Sequence, residues 1–323
     1  MPTVNSPSDG NLAGYQLLER IAKGGMAEVF RAKPPLEETR SADQPEIIAL
    51  KRLLADHRAD SGYVNLFLEE GKMCVRLNHP NVVKTYKVFK KGPDYFMVQE
   101  FVEGASLGRL LEFARNRERP LDLEASLQVA QGLLKALEYV HLTKRSDQGG
   151  GTIVHRDINP ANVLCSKTGG VKLIDFGVAE AEGLSMIGSN GAIRGTLTYL
   201  APEAVLGRSV DRRADLYATG ILLWEMAANK LLFAGASDLE ILHKIQESRT
   251  PLLSKIRKDL PELLIQIVRK ALFADLNLRF QNAGDFLRAL DALSIRSGLT
   301  GGDKALAKEV QAATSGGGPQ LRA

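Results

Sequence analysis

The chain has 323 residues, 44% of them hydrophobic, enough for a sizeable core in two lobes or one large domain. Its 42 Lys and Arg stand against 38 Asp and Glu, a formal charge of +4 that is too small to point to nucleic acid and reads as a solvated surface of mixed sign. Its two cysteines, Cys74 and Cys165, cannot form a disulfide framework and carry no zinc-ligand spacing; both lie in apolar stretches, so buried thiols in a reducing compartment are expected.

Met1 to Gly10 holds no basic region ahead of an apolar core, so no secretory signal is expected there, and residues 1–14 read as a flexible terminus. Residues 15–102 carry strand signals. Tyr15 to Ile21 leads into a Gly-Gly turn and then Glu28 to Ala32; Ile47 to Lys51 and Tyr95 to Val102 are further β-rich runs. Pro34 to Pro45 reads as a polar loop, and residues 62–77 as the one helix of this half. Beyond a turn at Gly104 the character becomes helical. Leu123, Leu127, Ala130, Leu134 and Leu137 recur at helical spacing, as do Leu263, Leu264, Ile267, Val268, Ala271 and Leu272. Leu216 to Ala228 is apolar on nearly every side, which suits a helix buried within a lobe. It is interrupted by Glu225 and falls short of the roughly 18 apolar residues of a membrane span, so a cytoplasmic protein is expected. Gly149 to Gly151 reads as a surface loop. Residues 294–323 read as a Gly- and Ala-rich tail with a helix-capable piece, Lys304 to Ala313.

The run Ile153-Val-His-Arg-Asp-Ile-Asn-Pro-Ala-Asn-Val-Leu164 places the carboxylate of Asp157 five residues before the amide of Asn162, and Asp175 follows in Leu173-Ile-Asp-Phe-Gly177. One group to receive a hydroxyl proton and two hard oxygen ligands for a metal riding on phosphates are what phosphoryl transfer needs. These residues resemble the protein-kinase catalytic loop H-R-D-x-x-x-x-N and the D-F-G motif. The resemblance covers roughly residues 15–293. It implies an α+β bilobal kinase fold, with a small β-rich lobe of one main helix over residues 15–102 and a larger, mostly helical lobe over 103–293.

The resemblance assigns roles along the chain. Ile21-Ala22-Lys23-Gly24-Gly25-Met26-Ala27-Glu28-Val29 occupies the place of the glycine-rich loop, with Ala22 and Ala27 standing for two of its glycines, in the manner of bacterial eukaryotic-like Ser/Thr kinases. Lys51 matches the lysine that holds the α- and β-phosphates, and Ala49 precedes it on the nucleotide side. Its partner is expected to be Glu70: Glu69 points about 100° away on a helix, so only one of the two can face Lys51, and the spacing to Asn78-His79-Pro80 favours Glu70. Gly71 then loosens that helix by up to ~1 kcal/mol, a reason to read it as mobile. The backbone of Glu100 and Val102 is implied to bind adenine, with Gln99 as gatekeeper, Ser106 at the ribose and Leu164 among the nucleotide-binding residues.

On the catalytic side Asp157 is implied as base, Asn162 and Asp175 as Mg²⁺ ligands, and Arg156 as a partner for an activation-segment phosphate; His155 reads as structural. Asn159 stands where the family usually has lysine. It can donate a hydrogen bond but brings no charge to the γ-phosphate, a loss on the order of 10²–10³ in rate by analogy with single-donor deletions. Lys23 is the candidate to compensate. Gly195-Thr-Leu-Thr-Tyr-Leu-Ala-Pro-Glu203 resembles G-T-x-x-Y-x-A-P-E; Thr196 matches the threonine that contacts the catalytic aspartate, which favours Ser/Thr specificity. Ser185, Ser189 and Thr198 are candidate phosphorylation sites. Asp215 is expected to accept catalytic-loop N–H bonds and Arg279 to pair with Glu203. Ala161 gives no support for a basic-directed substrate. The implied cosubstrate is ATP with Mg²⁺, and the implied partner a protein with a Ser or Thr acceptor, self-association for autophosphorylation included. Two readings stay open, an active kinase and an ATP-binding pseudokinase scaffold. A dinucleotide dehydrogenase is disfavoured, since no G-x-G-x-x-G opens a helix after a first strand.

Overall fold

The computed structural model describes residues 10–35, 45–144, 151–176 and 197–315. The chain divides into two compact units: one takes in the residues up to Asn78 together with Lys84–Phe101, the other His79–Val83 and the chain from Val102. The sequence-based boundary at 102 therefore needs one correction. His79–Val83 joins the second unit because Val82 bridges Leu173, the Val83 N–H donates to the Leu173 carbonyl at 3.0 Å, and the Leu173 N–H donates to that of Asn81 at 2.8 Å.

The first unit is built on an antiparallel sheet of β1 (Asn11–Leu12), β2 (Tyr15–Lys23), β3 (Ala27–Lys33), β4 (Ile48–Leu53), β5 (Thr85–Lys91) and β6 (Asp94–Glu100), in the order β1-β2-β3-β4-β6-β5. Strand alternation sorts its side chains onto two faces. Ile48, Leu50, Phe96 and Val98 pack with Tyr15 and Phe30 on one; Leu53 and Met97 pack with Ala27 and Phe67 on the other. β1 lies inside the stretch expected to be flexible: Asn11 pairs with Gln16 and Leu12 with Tyr15, so the ordered chain begins earlier than the hydrophobic pattern indicates.

Helix α1 (Ser61–Arg76) is capped by Asp60, whose carboxylate accepts the Gly62 N–H at 2.8 Å. Gly71 sits where α1 meets β5: a Cβ there would lie 2.8 Å from Val88 Cβ and 3.2 Å from Met97 Cε. Close packing against Val88 and Met97 thus gives the glycine a structural reason.

In the second unit β7 (Gly104–Ser106), β8 (Val163–Ser166) and β9 (Val171–Leu173) form an antiparallel sheet. Gly104 is a strand residue, not a turn. A Cβ on it would collide with the Cys165 carbonyl, so glycine is what lets β7 and β8 pair this closely. The helices are α2 (Leu107–Asn116), α3 (Leu123–Leu142), α4 (Pro202–Val205), α5 (Arg213–Ala228), α6 (Asp238–Glu247), α7 (Leu253–Ile256), α8 (Glu262–Ala271), α9 (Ala283–Ser297) and α10 (Gly302–Thr314). Every residue of α5 after Arg213 is buried, as its all-round apolar pattern requires.

The supposed tail is a second correction. α9 continues through residue 294, and α10 packs on α2, α3, β7 and β8 with Leu306, Val310 and Ala313 buried. Glu309 of α10 accepts the Asp122 N–H at 3.3 Å and pairs with Arg117, and Arg109 Nη2 donates to the Ala313 carbonyl at 3.1 Å. Among the described residues no helix is long and apolar enough to cross a membrane. Cys74 and Cys165 are buried free thiols, and burial pushes the Cys165 thiol up to about 12. Gly149–Gly150 and most of the Pro34–Pro45 stretch lie outside the described residues.

Candidate active site

In the first unit, β4 carries Lys51 into the interior, where its Nζ donates to Glu70 Oε1 on α1 at 3.0 Å. Glu69, one helical position away, pairs instead with Lys72 at 2.9 Å on an exposed face. The β2–β3 hairpin pairs Ala22 with Val29 and Lys23 with Glu28, and the Gly24 N–H closes its turn onto the Ala27 carbonyl at 2.8 Å. His57 Nε2 donates to the Gly25 carbonyl at 2.8 Å, and Ile21, Val29 and Ala49 lie on the strands that frame Lys51. The loop has an anchor that its glycines do not reveal. Glu28 is buried, lies directly across from Arg52, and accepts from Arg52 Nε at 3.0 Å and Nη2 at 2.5 Å. The hairpin is thereby tied to the residue after Lys51. Gln99 is buried and donates to Thr85 Oγ1 at 3.3 Å; the Glu100 N–H is engaged by the Lys84 carbonyl at 2.8 Å.

In the second unit, the loop from Ile153 to Asn162 wraps around Asp215, at the start of α5. Its carboxylate accepts the N–H groups of His155 at 2.9 Å and Arg156 at 2.8 Å, and meets His141 Nε2 at 2.7 Å. Burial opposes the charge on Asp215, but the hydrogen bond and charge of His141, with His155 beside it, outweigh burial and hold the carboxyl below its ordinary value. Burial lowers His155 below the usual imidazole value, against the pull of Asp215 and Asp157. The hydrogen bonds agree with a neutral ring: Nδ1 accepts the Asp157 N–H at 3.3 Å and Nε2 donates to the Ile174 carbonyl at 3.1 Å. His155 is thus a structural spacer between the two motif segments, its ring 4.7 Å from that of Phe176.

Arg156 and Asp175 both adopt left-handed backbone, with φ of 69° and 51°. Such residues cost about 1–3 kcal/mol each and persist where the surroundings over-determine them. Here Asp215 fixes the first, and the Ile174 N–H bond to the Asn162 carbonyl at 3.0 Å fixes the strand end before the second.

Asp157 is held by amides. Asn162 Nδ2 donates to Asp157 Oδ2 at 2.8 Å and to its carbonyl at 2.9 Å; Asn159 Nδ2 donates to Oδ1 at 2.7 Å. With its NH₂ committed to Asp157, Asn162 has its amide oxygen as the atom for a cation, and Asp175 contributes a carboxylate. Two hard oxygens of this kind fit Mg²⁺. Among the described residues no cluster of three or more His, Cys, Asp or Glu forms an all-protein metal cage.

Val102 is buried at the start of this unit, Leu164 pairs with Ser106 across β7 and β8, and the Ser106 hydroxyl caps α2 by accepting the Arg109 N–H at 3.3 Å. Thr198 is buried, which removes it as an accessible phosphorylation site. Thr196, Ser185 and Ser189 lie outside the described residues. Arg279 pairs with Glu203 through both terminal nitrogens at 2.8 and 2.7 Å. Sequence reasoning missed the Glu28–Arg52 anchor, which hairpin register alone places face to face, and His141, for which no spacing signal exists.

The chain matches the protein kinase domain over residues 15–287 and belongs to that family. It is 31% identical to the tyrosine-protein kinase MasK of Myxococcus xanthus over 86% of this chain and 42% of that protein. A probable serine/threonine-protein kinase of Streptomyces coelicolor shares 36% identity over 86% of this chain and 39% of its own length. The serine/threonine-protein kinase PrkC of Bacillus subtilis shares 30% over 84% and 39% respectively. The chain spans about two fifths of the length of these relatives.

Proposed function

We propose that the chain is a serine/threonine protein kinase that moves the γ-phosphate of ATP to a hydroxyl of a protein substrate, itself included. The observation that carries this reading is the carboxylate of Asp157, fixed by Asn159 and Asn162, with Asp175 following on a left-handed turn after Ile174, whose N–H bonds to the Asn162 carbonyl. Asp157 takes the proton of the acceptor hydroxyl as the O–P bond forms, and the bond from the γ-phosphorus to the bridging oxygen breaks to release ADP. Lys51, steadied by Glu70, holds the α- and β-phosphates, and the backbone of Ile21 to Val29 covers them. Since the Glu100 N–H is engaged within its own unit, the adenine contacts fall to the Glu100 carbonyl and to Val102, with Ser106 at the ribose and Leu164 beneath the base. Asn162 and Asp175 would hold Mg²⁺, which would neutralise phosphate charge. The G-T-x-x-Y sequence around Thr196 resembles that of Ser/Thr kinases and favours a Ser/Thr over a Tyr acceptor. A cytoplasmic, reducing location is part of the proposal and is supported by the two buried thiols.

The test is transfer of labelled γ-phosphate to the chain itself and to Ser/Thr and Tyr acceptors, beside Asp157→Asn. The expected result is Ser/Thr labelling that falls by roughly 10²–10⁴ in the variant. Mg-ATP binding without transfer to any acceptor would establish the scaffold reading instead.

A further inference from the structure

Asn159 occupies the position at which the family usually has a charged side chain, and its hydrogen bonds describe a different device. Its Oδ1 accepts two backbone N–H groups, from Ala161 at 2.8 Å and Asn162 at 3.2 Å, and so caps the short 3-10 turn Pro160–Asn162. Its Nδ2 donates to Asp157 Oδ1 at 2.7 Å, and the side chain is buried. The cap decides which way the amide faces. A flipped amide would lose both backbone bonds and set its oxygen against the carboxylate, so the NH₂ must point at Asp157. Asn162 holds the other carboxylate oxygen at 2.8 Å. Gripped at both oxygens, the carboxylate cannot rotate without breaking a bond on one side.

We propose that Asn159 is a positioning residue that sets the orientation of the Asp157 carboxylate, acting through the base rather than on the transferred phosphate. Its kinetic part rests on the kinase reading; its structural part does not. A lysine has no acceptor with which to cap the turn. Serine caps a helix as well as asparagine does, but it is too short to reach Asp157 as well. Asn159→Ser therefore separates the two jobs, keeping the fold and neutrality of the loop while releasing one carboxylate oxygen.

The experiment compares wild type and Asn159→Ser by turnover, melting temperature and high-resolution structure, with Asp157→Asn and the double variant in the kinetic arm. The expected outcome is a kcat lower by roughly 10-fold or more, since small misplacements of a reacting group cost up to ~10² in rate. The KM for ATP and the melting temperature stay unchanged, the Asp157 carboxylate takes a rotated or divided orientation, and no further loss occurs on the Asp157→Asn background. A wild-type kcat in Asn159→Ser overturns the proposal. So does a loss that persists in full on the Asp157→Asn background, because Asn159 would then act on the phosphate. An unmoved carboxylate overturns it whatever the turnover. If wild type transfers no phosphate while the carboxylate still depends on Asn159, the kinase reading fails and the positioning role stands.

Discussion

In the strand unit a lysine ammonium meets Glu70 at 3.0 Å; in the helical unit the Arg279 guanidinium meets Glu203 at 2.8 and 2.7 Å. Both pairs are buried, yet they are held in different ways. Arg279 is fixed at every edge of its plane: Nε donates to the Phe273 carbonyl at 2.5 Å, Nη1 reaches the Arg213 carbonyl at 3.4 Å, Nη2 the Ala274 carbonyl at 3.2 Å, and the group lies 4.6 Å from the centre of the Tyr217 ring. A planar fork held this way has one geometry. A lysine ammonium is a compact point charge on a flexible stem, able to redirect its donors. The lesson is that burial alone does not distinguish a structural ion pair from a functional one; the shape of the cation, a planar fork or a swivelling ammonium, adds what burial does not show.

Arg279→Met tests the structural end of that comparison and has the largest expected effect on folding. It strands a buried Glu203 and lowers stability by about 3–5 kcal/mol in urea unfolding. Lys51→Met is expected to lower stability by less than half as much, while phosphate transfer falls by roughly 10² or more. Equal destabilisation by both variants would erase the distinction.

The smallest effect sharpens it. Glu225 is a third buried carboxylate, and its hydrogen bonds come from neutral donors, the Tyr199 hydroxyl at 2.9 Å and the Leu232 N–H at 3.1 Å. Burial raises its carboxyl above the ordinary glutamate value despite those bonds. The unfolded chain therefore releases this proton at lower pH than the folded one, and the contribution of Glu225 to stability declines as pH rises past the ordinary glutamate value. Glu225→Gln removes that decline. Its stability relative to wild type is expected to improve as pH rises past the ordinary glutamate value, read from urea midpoints across a pH series.

Much of the fold was legible because motif and periodicity agreed. β4 and β6 carry apolar residues at strand spacing, Ile48 and Leu50 in one and Phe96 and Val98 in the other, and the spacing to Asn78-His79-Pro80 chose Glu70 over Glu69 as the partner of Lys51 once helical geometry allowed only one of them. Asp215 and Arg279 found their expected partners because their motif positions fix local backbone. What escaped was set by tertiary contact. β5 is an edge strand with lysines at exposed positions, so its alternation is faint. Gly104 looked like a turn because the Cys165 backbone that demands a glycine is distant in sequence. The bond from Asn159 to Asp157 depends on a cap that residue type does not announce, since asparagine serves equally well as a plain turn former.

Helix α10 has a consequence for how sequence changes in this chain are interpreted. The family match ends at residue 287, so an alignment files Leu306, Glu309 and Val310 under linker, where substitutions are assumed harmless. Yet these side chains are as buried as those of α3 on which they rest. A polar variant at Leu306 belongs with core lesions, and the edge of the folded domain is drawn by packing rather than by the last recognisable motif.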